Sequence, residues 1–351
     1  MSKPFYLLTP RPTPESLSIV IPVYNEQEVL PLLLERLRSL LELLPCAAEI
    51  IFVNDGSSDR TLVGLYEASK RESRFKVLGL ARNFGHQLAA TAGLDAARGE
   101  VVVLMDADLQ DPPELVLKMM DEYQLGYDVV YARRIGREGE SRFKRFSAWL
   151  FYRMMKVLVY KDLPADVGDY RLISRRCLAA LTEMRETHRF LRGMVSWVGF
   201  PQIAVEFVRC NRAAGETKYP FSKMLKFAWT AAVSFSPLPL RLSLFIGASL
   251  FIVGFLFSLF ALVELVMGIY LVPGWTSLII LNCLCSGAIL LGIGVLGEYV
   301  ARIFEEMKGR PLYVVCDRLN LDEAPASPAS AAQAGRPSGQ PTGTVDRGPS
   351  R

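Results

Sequence analysis

Five apolar residues run directly into two carboxylates at Val101-Val102-Val103-Leu104-Met105-Asp106-Ala107-Asp108. An apolar run without alternating polar residues predicts a strand buried on both faces of a mainly parallel sheet. Asp106 and Asp108 then lie at the carboxyl end of this strand, the edge at which open α/β sheets bind ligands. Mg²⁺ and Mn²⁺ prefer oxygen ligands and commonly bridge carboxylates to a diphosphate. Asp106 and Asp108 are therefore candidate metal ligands, although an isolated D-x-D also occurs by chance.

Four further apolar runs surround this strand, and helical patterns separate them. The runs are Leu17–Val23, Glu49–Val53, Phe75–Leu80 and Asp128–Tyr131. Apolar residues recur at helical spacing in Glu28–Leu44, Thr61–Ser69, His86–Ala97 and Pro113–Tyr123. This alternation predicts an α/β fold with a Rossmann-like, mainly parallel sheet. No G-x-G-x-x-G follows the first strand, so a nicotinamide-binding domain loses its main support.

Polar side chains collect at the carboxyl ends of these strands. The clusters are Tyr24-Asn25-Glu26, residues 54–59, Arg82-Asn83 and Asp106-Ala107-Asp108. Asn, Asp and Ser also favour turns and helix N-caps, and capping is the preferred interpretation for Asp59 and Asn83 alone. Clusters at four strand ends along one edge are better explained by a binding site.

Two long charge-free segments carry much of the hydrophobicity. The chain has 351 residues, of which 51% are hydrophobic, and its mean hydropathy is +0.23. Residues 242–263 and 275–297 carry no charge, and as helices each would extend about 33 Å, enough to cross a bilayer. Their outer flanks are basic and their connection lacks Lys and Arg, which predicts that both flanks are cytoplasmic. A pair of buried core helices is the less favoured alternative.

The net charge of +4 conceals a strongly basic segment. Residues 131–161 contain nine basic and two acidic residues, with apolar residues interleaved at helical spacing. This pattern predicts an interfacial amphipathic helix on an anionic membrane surface, and Phe221–Phe235 repeats it more weakly. A helix packed on its own domain with a solvated basic face is an almost equal alternative. We expect no nucleic-acid partner, because two membrane-spanning segments would already place the basic residues beside an anionic lipid surface.

The ends of the sequence and its cysteines set further bounds. Residues 1–16 hold no sustained apolar core, which predicts that no signal peptide is present. Six scattered cysteines and two histidines argue against a disulfide scaffold and a zinc cluster. The predicted organisation is an N-terminal extension (1–16), a catalytic domain (17–220), an interfacial helix region (221–241), two membrane helices (242–297), a cytoplasmic segment (298–320) and a disordered tail (321–351).

Several motifs resemble those of the family 2 glycosyltransferases with a GT-A fold. They are Ile19–Glu26 (IVIPVYNE), Val53–Asp59 (VNDGSSD) and Met105–Pro113 (MDADLQDPP). Residues 168–172 (GDYRL), residues 215–219 (GETKY) and the two apolar segments extend the resemblance to the polyprenyl-phosphate branch. That branch includes bactoprenol glucosyltransferases, dolichol-phosphate mannose synthases and the aminoarabinose transferase. The resemblance runs from about residue 17 to 319; Thr217 stands where many relatives have Ser.

The resemblance implies roles for individual residues. It implies that Pro22, Tyr24, Glu26 and Asp55 contact the nucleotide, with uridine as the expected nucleoside. Arg82 and Asp106 are further candidates for nucleotide binding. Asp106 and Asp108 would hold Mg²⁺ or Mn²⁺ with the diphosphate, and Asp169 would lie with Asp108 at the reaction centre. Arginine forks match phosphate oxygens geometrically, so the candidates for binding the acceptor phosphate are Arg133, Arg171, Arg212 and Lys218.

The predicted function is inverting transfer of a sugar, glucose or a related hexose, from a UDP-sugar to polyprenyl (undecaprenyl) phosphate. We expect a homo-oligomeric, multi-pass protein of a bacterial inner membrane, with its catalytic domain and both termini cytoplasmic. A processive polysaccharide synthase is an alternative, but it would need more membrane helices and usually a Q-x-x-R-W motif, which this sequence lacks. A non-catalytic membrane scaffold that binds sugar nucleotides is another, and the intact acidic residues argue against it.

Overall fold

The computed structural model describes residues 8–135, 167–208, 238–267 and 274–321. Its strands are β1 (Ser16–Val23), β2 (Ala47–Asn54), β3 (Phe75–Leu80), β4 (Val101–Leu104), β5 (Val129–Ile135), β6 (Val167–Ser174), β7 (Gln202–Val208) and β8 (Val315–Leu319). Its helices are α1 (Leu30–Leu43), α2 (Thr61–Arg71), α3 (His86–Ala96), α4 (Leu115–Gln124), α5 (Arg175–Glu183), α6 (Leu191–Val198), α7 (Leu238–Val266) and α8 (Trp275–Met307).

The strands form one mixed sheet in the order β7-β5-β6-β4-β1-β2-β3-β8. The central strands β4, β1, β2 and β3 are parallel, as the predicted alternation of strands and helices requires. Strand β6 lies antiparallel between β4 and β5. The α/β, mainly parallel fold class is therefore confirmed, with all four central strands ending at one edge.

Helices cover both faces of this sheet, and each face has its own apolar core. Along β1, Leu17, Ile19 and Ile21 pack on the side of α1 and α4, whereas Val20 packs on the side of α3. All four side chains are fully buried. Burial on both faces explains why these strands are apolar without alternation.

The predicted elements of the first 135 residues correspond closely to the observed ones. Strand β3 has the predicted bounds, and the other strands and helices differ from prediction by a few residues at their ends. Strands β6, β7 and β8 were not predicted as strands. Strand β8 is the least expected of them, because it follows α8 and pairs antiparallel with β3 on the far side of the sheet.

Helices α7 and α8 contact each other and leave their apolar side chains exposed. Leu244, Phe251 and Leu291 are 70–73% exposed. Within the described ranges, one helix, Leu284–Met307, meets the length and composition needed to cross a membrane. Helix α8 continues past the predicted end at 297 to Met307, and Glu298 and Arg302 pair one turn apart along it. The predicted two-helix hairpin stays a prediction.

Some predictions fall outside the described residues. They concern most of the basic segment at 131–161, Arg212, Lys218 and the 215–219 motif, most of the interfacial region at 221–241, and the tail from residue 322 onward.

Candidate active site

The loops that follow β1 and β2 interlock at the carboxyl edge of the sheet. Asn25 adopts a positive φ of 56°, its N–H donates to Ser57 Oγ at 3.0 Å, and its Oδ1 accepts from the Ser58 N–H at 2.8 Å. Tyr24 is left 47% exposed beside this junction, while Pro22 is buried within β1. The edge therefore exposes the ring of Tyr24 on a loop that is fixed by its hydrogen bonds to the loop after β2.

Asp55 fixes the loop that follows β3. It is almost fully buried, and its two carboxylate oxygens accept from the N–H groups of Phe84 at 2.7 Å and Gly85 at 2.9 Å. Burial raises the pKa of Asp55, and the two donors offset only part of that rise. The contact of Asp55 with the nucleotide stays a prediction. In the structure, both of its carboxylate oxygens already accept hydrogen bonds from backbone N–H groups.

The residue after Asp55 must be a glycine, because the backbone of Arg82 passes too close to it for a side chain. Gly56 has φ +66°, and a Cβ on it would lie 2.5 Å from the carbonyl carbon of Arg82. Arg82 itself is exposed and stacks over the ring of Phe84, with the guanidinium carbon 4.0 Å from the ring centroid. The second and third predicted clusters are thus neighbours in space.

His86, the first residue of α3, lies between two of the predicted acidic site residues. Its Nε2 is 3.4 Å from Asp106 Oδ1 and 3.4 Å from Asp169 Oδ2. Asp106 Oδ1 and Asp169 Oδ2 are therefore separated by at most twice the 3.4 Å that joins each of them to His86. Burial lowers the pKa of His86, but Asp169 and Asp106 outweigh this effect and raise it above its ordinary value.

Asp169, on β6, is held by several donors. Arg192 on α6 donates through Nε to Oδ1 at 2.8 Å and through Nη2 to Oδ2 at 3.3 Å. Gln87 donates to Oδ2 at 3.1 Å, and its own carbonyl accepts from the Leu191 N–H at 3.0 Å. Burial opposes ionisation of Asp169, but Arg192, His86 and Arg171 hold its pKa well below the ordinary value. Asp169 is accordingly a fixed anion at neutral pH.

Asp106 and Asp108 offer oxygens that suit a divalent cation. Asp106 Oδ1 is buried, and no described residue donates a hydrogen bond to it. Burial raises the pKa of Asp106, His86 offsets part of this rise, and the nearby carboxylates of Asp169, Asp108 and Asp111 add to it. Asp108 Oδ1 accepts from the Gln110 N–H at 3.2 Å, which orients this side chain. A buried carboxylate oxygen that accepts no hydrogen bond from a described residue, with the His86 ring nitrogen 3.4 Å away, fits a role as a metal ligand.

The two described candidates for binding the acceptor phosphate differ in accessibility. Arg133 Nη2 pairs with Glu206 Oε1 at 2.6 Å, and both side chains are about half exposed. Arg171 is only 3% exposed; its Nη2 donates to the Gly168 carbonyl at 3.0 Å and its Nε to the Asp169 carbonyl at 3.1 Å. Burial lowers the pKa of Arg171 to about 10. Because its guanidinium is buried and donates to carbonyls of its own strand, Arg171 supports the backbone of the site and does not face an external phosphate.

The sequence matches a known family over most of the predicted catalytic domain. The model of glycosyl transferase family 2 matches residues 18–182. The uncharacterized glycosyltransferase YkcC of Bacillus subtilis is 46% identical over 85% of this chain and 92% of its own. The SfII prophage-derived bactoprenol glucosyl transferase of Shigella flexneri is 36% identical over 85% of this chain and 97% of its own.

The chain belongs to glycosyl transferase family 2. It is a glycosyltransferase, and its resemblance to the bactoprenol glucosyltransferases is confirmed. Among solved structures, mannosyl-3-phosphoglycerate synthase from Rubrobacter xylanophilus is 18% identical, with a TM-score of 0.42 over 62% of this chain and 72% of its own.

Three residues of this candidate site were not predicted from the sequence: His86, Gln87 and Arg192. His86 and Gln87 follow the Arg82-Asn83 cluster at the carboxyl end of β3, and that position was a usable signal. Arg192 offered none, because it reaches Asp169 only through the packing of α6.

Proposed function

We propose that this family 2 glycosyltransferase transfers a sugar, glucose or a related hexose, from a UDP-sugar to polyprenyl phosphate at the cytoplasmic face of a membrane. The observation that carries the proposal is the continuity of the sheet. The same sheet holds the acidic edge of Asp106, Asp108 and Asp169, and it is completed by β8, the strand that follows the apolar helices. The site for a soluble sugar donor and the helices that would reach a membrane-bound acceptor are therefore joined through one sheet.

The relatives support the nature of the acceptor. Bactoprenol glucosyl transferases of Shigella phage SfX and Shigella phage SfV are each 36% identical to this chain over nearly their whole length. Bactoprenol is a polyprenol, so a phosphate carried at the membrane surface suits an enzyme with exposed apolar helices. The glucose in these names makes UDP-glucose the first donor to test.

The position of β8 supports a hairpin of two membrane helices. The chain leaves the sheet after β7, passes through α7 and α8, and rejoins the sheet as β8 beside β3. A chain that leaves and returns on the same side of a bilayer must cross it an even number of times. With α7 and α8 as the two crossings, the catalytic domain and both flanks share the cytoplasmic side that the basic flanks indicate.

The chemistry requires little proton transfer. A monoalkyl phosphate has a second pKa near 6, so the acceptor oxygen is already anionic at neutral pH when it attacks the anomeric carbon. The bond to the departing UDP breaks as the new bond forms, which inverts the configuration. Because its pKa lies well below the ordinary value, Asp169 is a poor general base. Its role is to hold Arg192 and His86 in place beside the reacting groups.

A divalent cation, Mg²⁺ or Mn²⁺, would be held by Asp106 and Asp108. Such an ion supplies positive charge that stabilises the diphosphate leaving group. The buried Asp106 oxygen that lacks a donor is the feature of this site that fits it.

The proposal is tested with the full chain in lipid nanodiscs. Polyprenyl phosphate is supplied with a panel of radiolabelled UDP-sugars, and label in the organic extract is counted. We expect one sugar to pass to the lipid as a single residue, sensitive to mild acid. Label found only as free sugar, or as a polymer, would contradict the proposal.

A further inference from the structure

A short stretch of chain connects the end of α8 to the Asp169 carboxylate. Residues 187–192 form the loop after α5 and the first turn of α6. At one end of the stretch, Glu306 Oε1 accepts from the Thr187 N–H at 2.7 Å, and Glu305 Oε2 lies 2.7 Å from His188 Nε2. At the other end, Arg192 binds Asp169. Six consecutive residues thus contact both the apolar helix and the site.

The middle of this stretch is rigidly held. Arg189 is 9% exposed, and its guanidinium donates to the carbonyls of Leu181 and Met184, which folds the loop back on α5. The Leu191 N–H donates to Gln87, the residue that also binds Asp169. We therefore expect a displacement at residues 187–188 to shift Arg192 and Gln87 as well.

A second contact of the same kind lies on α3. Asp95, near the end of this helix, accepts from the Tyr313 hydroxyl at 2.8 Å and from Arg185 Nη1 at 2.6 Å. Tyr313 belongs to the segment between α8 and β8, and Arg185 to the loop after α5. The other end of α3 carries His86 and Gln87. Both elements that hold Asp169 are consequently anchored to the chain at the end of α8.

We propose that Glu305 and Glu306 are positioning residues for the transfer reaction, through which α8 holds Arg192 and Gln87 against Asp169. The inference rests on the proposed function. It means that the apolar helices do more than retain the enzyme at the membrane, since the end of α8 completes the support of the catalytic site.

The contacts themselves add little stability. The side chains of Glu305 and His188 are 49% and 35% exposed, and solvent screens an ion pair that is exposed to this extent. Their removal should therefore leave the fold intact and alter only the placement of α6. This separates a positioning role from a merely structural one.

The test compares the double variant Glu305→Ala/Glu306→Ala with Glu305→Gln/Glu306→Gln in nanodiscs. Because a misplacement of about 1 Å can cost about a hundredfold in rate, we expect the alanine variant to lower kcat by about ten- to a hundredfold. The KM for the UDP-sugar should stay within about twofold, as expected when the donor site is unchanged. The glutamine variant keeps acceptors for Thr187 and His188 and should restore kcat.

Glu298→Gln is the matched control, because this carboxylate lies on the same helix and pairs with Arg302 of α8. It should behave as wild type. Hydrogen exchange at the amides of residues 187–192 gives a readout that does not depend on the reaction, and it should accelerate in the alanine variant alone. If wild-type protein transfers no sugar to polyprenyl phosphate, the proposed function fails, while the exchange measurement still tests the coupling. Wild-type kcat or wild-type exchange in the alanine variant, or no rescue by glutamine, would overturn the inference.

Discussion

The pairing of Arg192 with Asp169 leads to a prediction about stability. Asp169 has a side chain only 6% exposed, whereas that of Arg192 is 35% exposed. Arg192→Met keeps the unbranched apolar part of the side chain and removes both donors to this carboxylate. Gln87 and the more distant His86 and Arg171 remain as partners, so the carboxylate loses its strongest donor without becoming isolated.

The magnitude follows from the two hydrogen bonds that are lost. A hydrogen bond to a charged group contributes about 1.5–3 kcal/mol. The second bond is long at 3.3 Å, and the partial exposure of Arg192 screens the pair. We therefore expect the free energy of unfolding to fall by about 2 kcal/mol, which corresponds to a Tm lower by about 4–8 °C.

The loss should also depend on pH in a defined direction. The folded pKa of Asp169 lies below its unfolded value, so its contribution to stability is present above the unfolded pKa and disappears as the pH falls through the folded one. Removal of Arg192 raises the folded pKa. The difference between wild type and variant should be full above about pH 5 and shrink as the pH falls below about 4.

The measurement is thermal unfolding of the full chain in detergent, followed by tryptophan fluorescence at several pH values. Arg36→Met is the matched control, since Arg36 also pairs with a carboxylate, Glu114, but on the surface. It should change the free energy of unfolding by less than about 1 kcal/mol. An equal loss in both variants, or a loss that does not diminish in acid, would refute the argument.

Three further predictions concern the metal site, the loop after β2 and a buried carboxylate beside the sheet. Asp108→Asn, or treatment with EDTA, should lower sugar transfer by a factor on the order of 100, whereas the exposed Asp121→Asn should transfer at the wild-type rate; transfer by Asp108→Asn at that rate would exclude Asp108 as a ligand. Gly56→Ala should cost about 2–4 kcal/mol of unfolding free energy, from the left-handed backbone and the clash with Arg82. Gly199→Ala, also in the left-handed region with φ 78° and ψ 15°, where the atom nearest to an added Cβ is the Trp197 carbonyl oxygen at 3.8 Å, should show the backbone cost alone, and equal losses in a denaturant titration would exclude the clash. The pKa of Asp128 is lowered, because Arg176, Ser174 and Arg11 outweigh its burial; its contribution to stability should be lost as the pH falls below about 4, and Asp128→Asn should melt with a weaker acid dependence than wild type.

The local elements of the catalytic domain were predictable because their periodicity is strong. Strand β4 and its neighbours are apolar on both faces, and the helices between them repeat at helical spacing, so both were found with errors only at their ends. Strand β8 was missed because it is short and lies after two apolar helices. Its pairing with β3 joins residues more than 200 positions apart, which no local pattern encodes.

The sequence by itself determined the α/β class, the acidic edge after β4 and the apolar helices, since each depends on the spacing of residue types along the chain. The tertiary structure alone decided which side chains meet at that edge. Asp169 comes from β6, Gln87 from the start of α3 and Arg192 from α6, and only the packing of these elements brings them within hydrogen-bond distance. It also assigned Arg171 to the interior, because burial depends on what covers a strand and not on the strand's own residues.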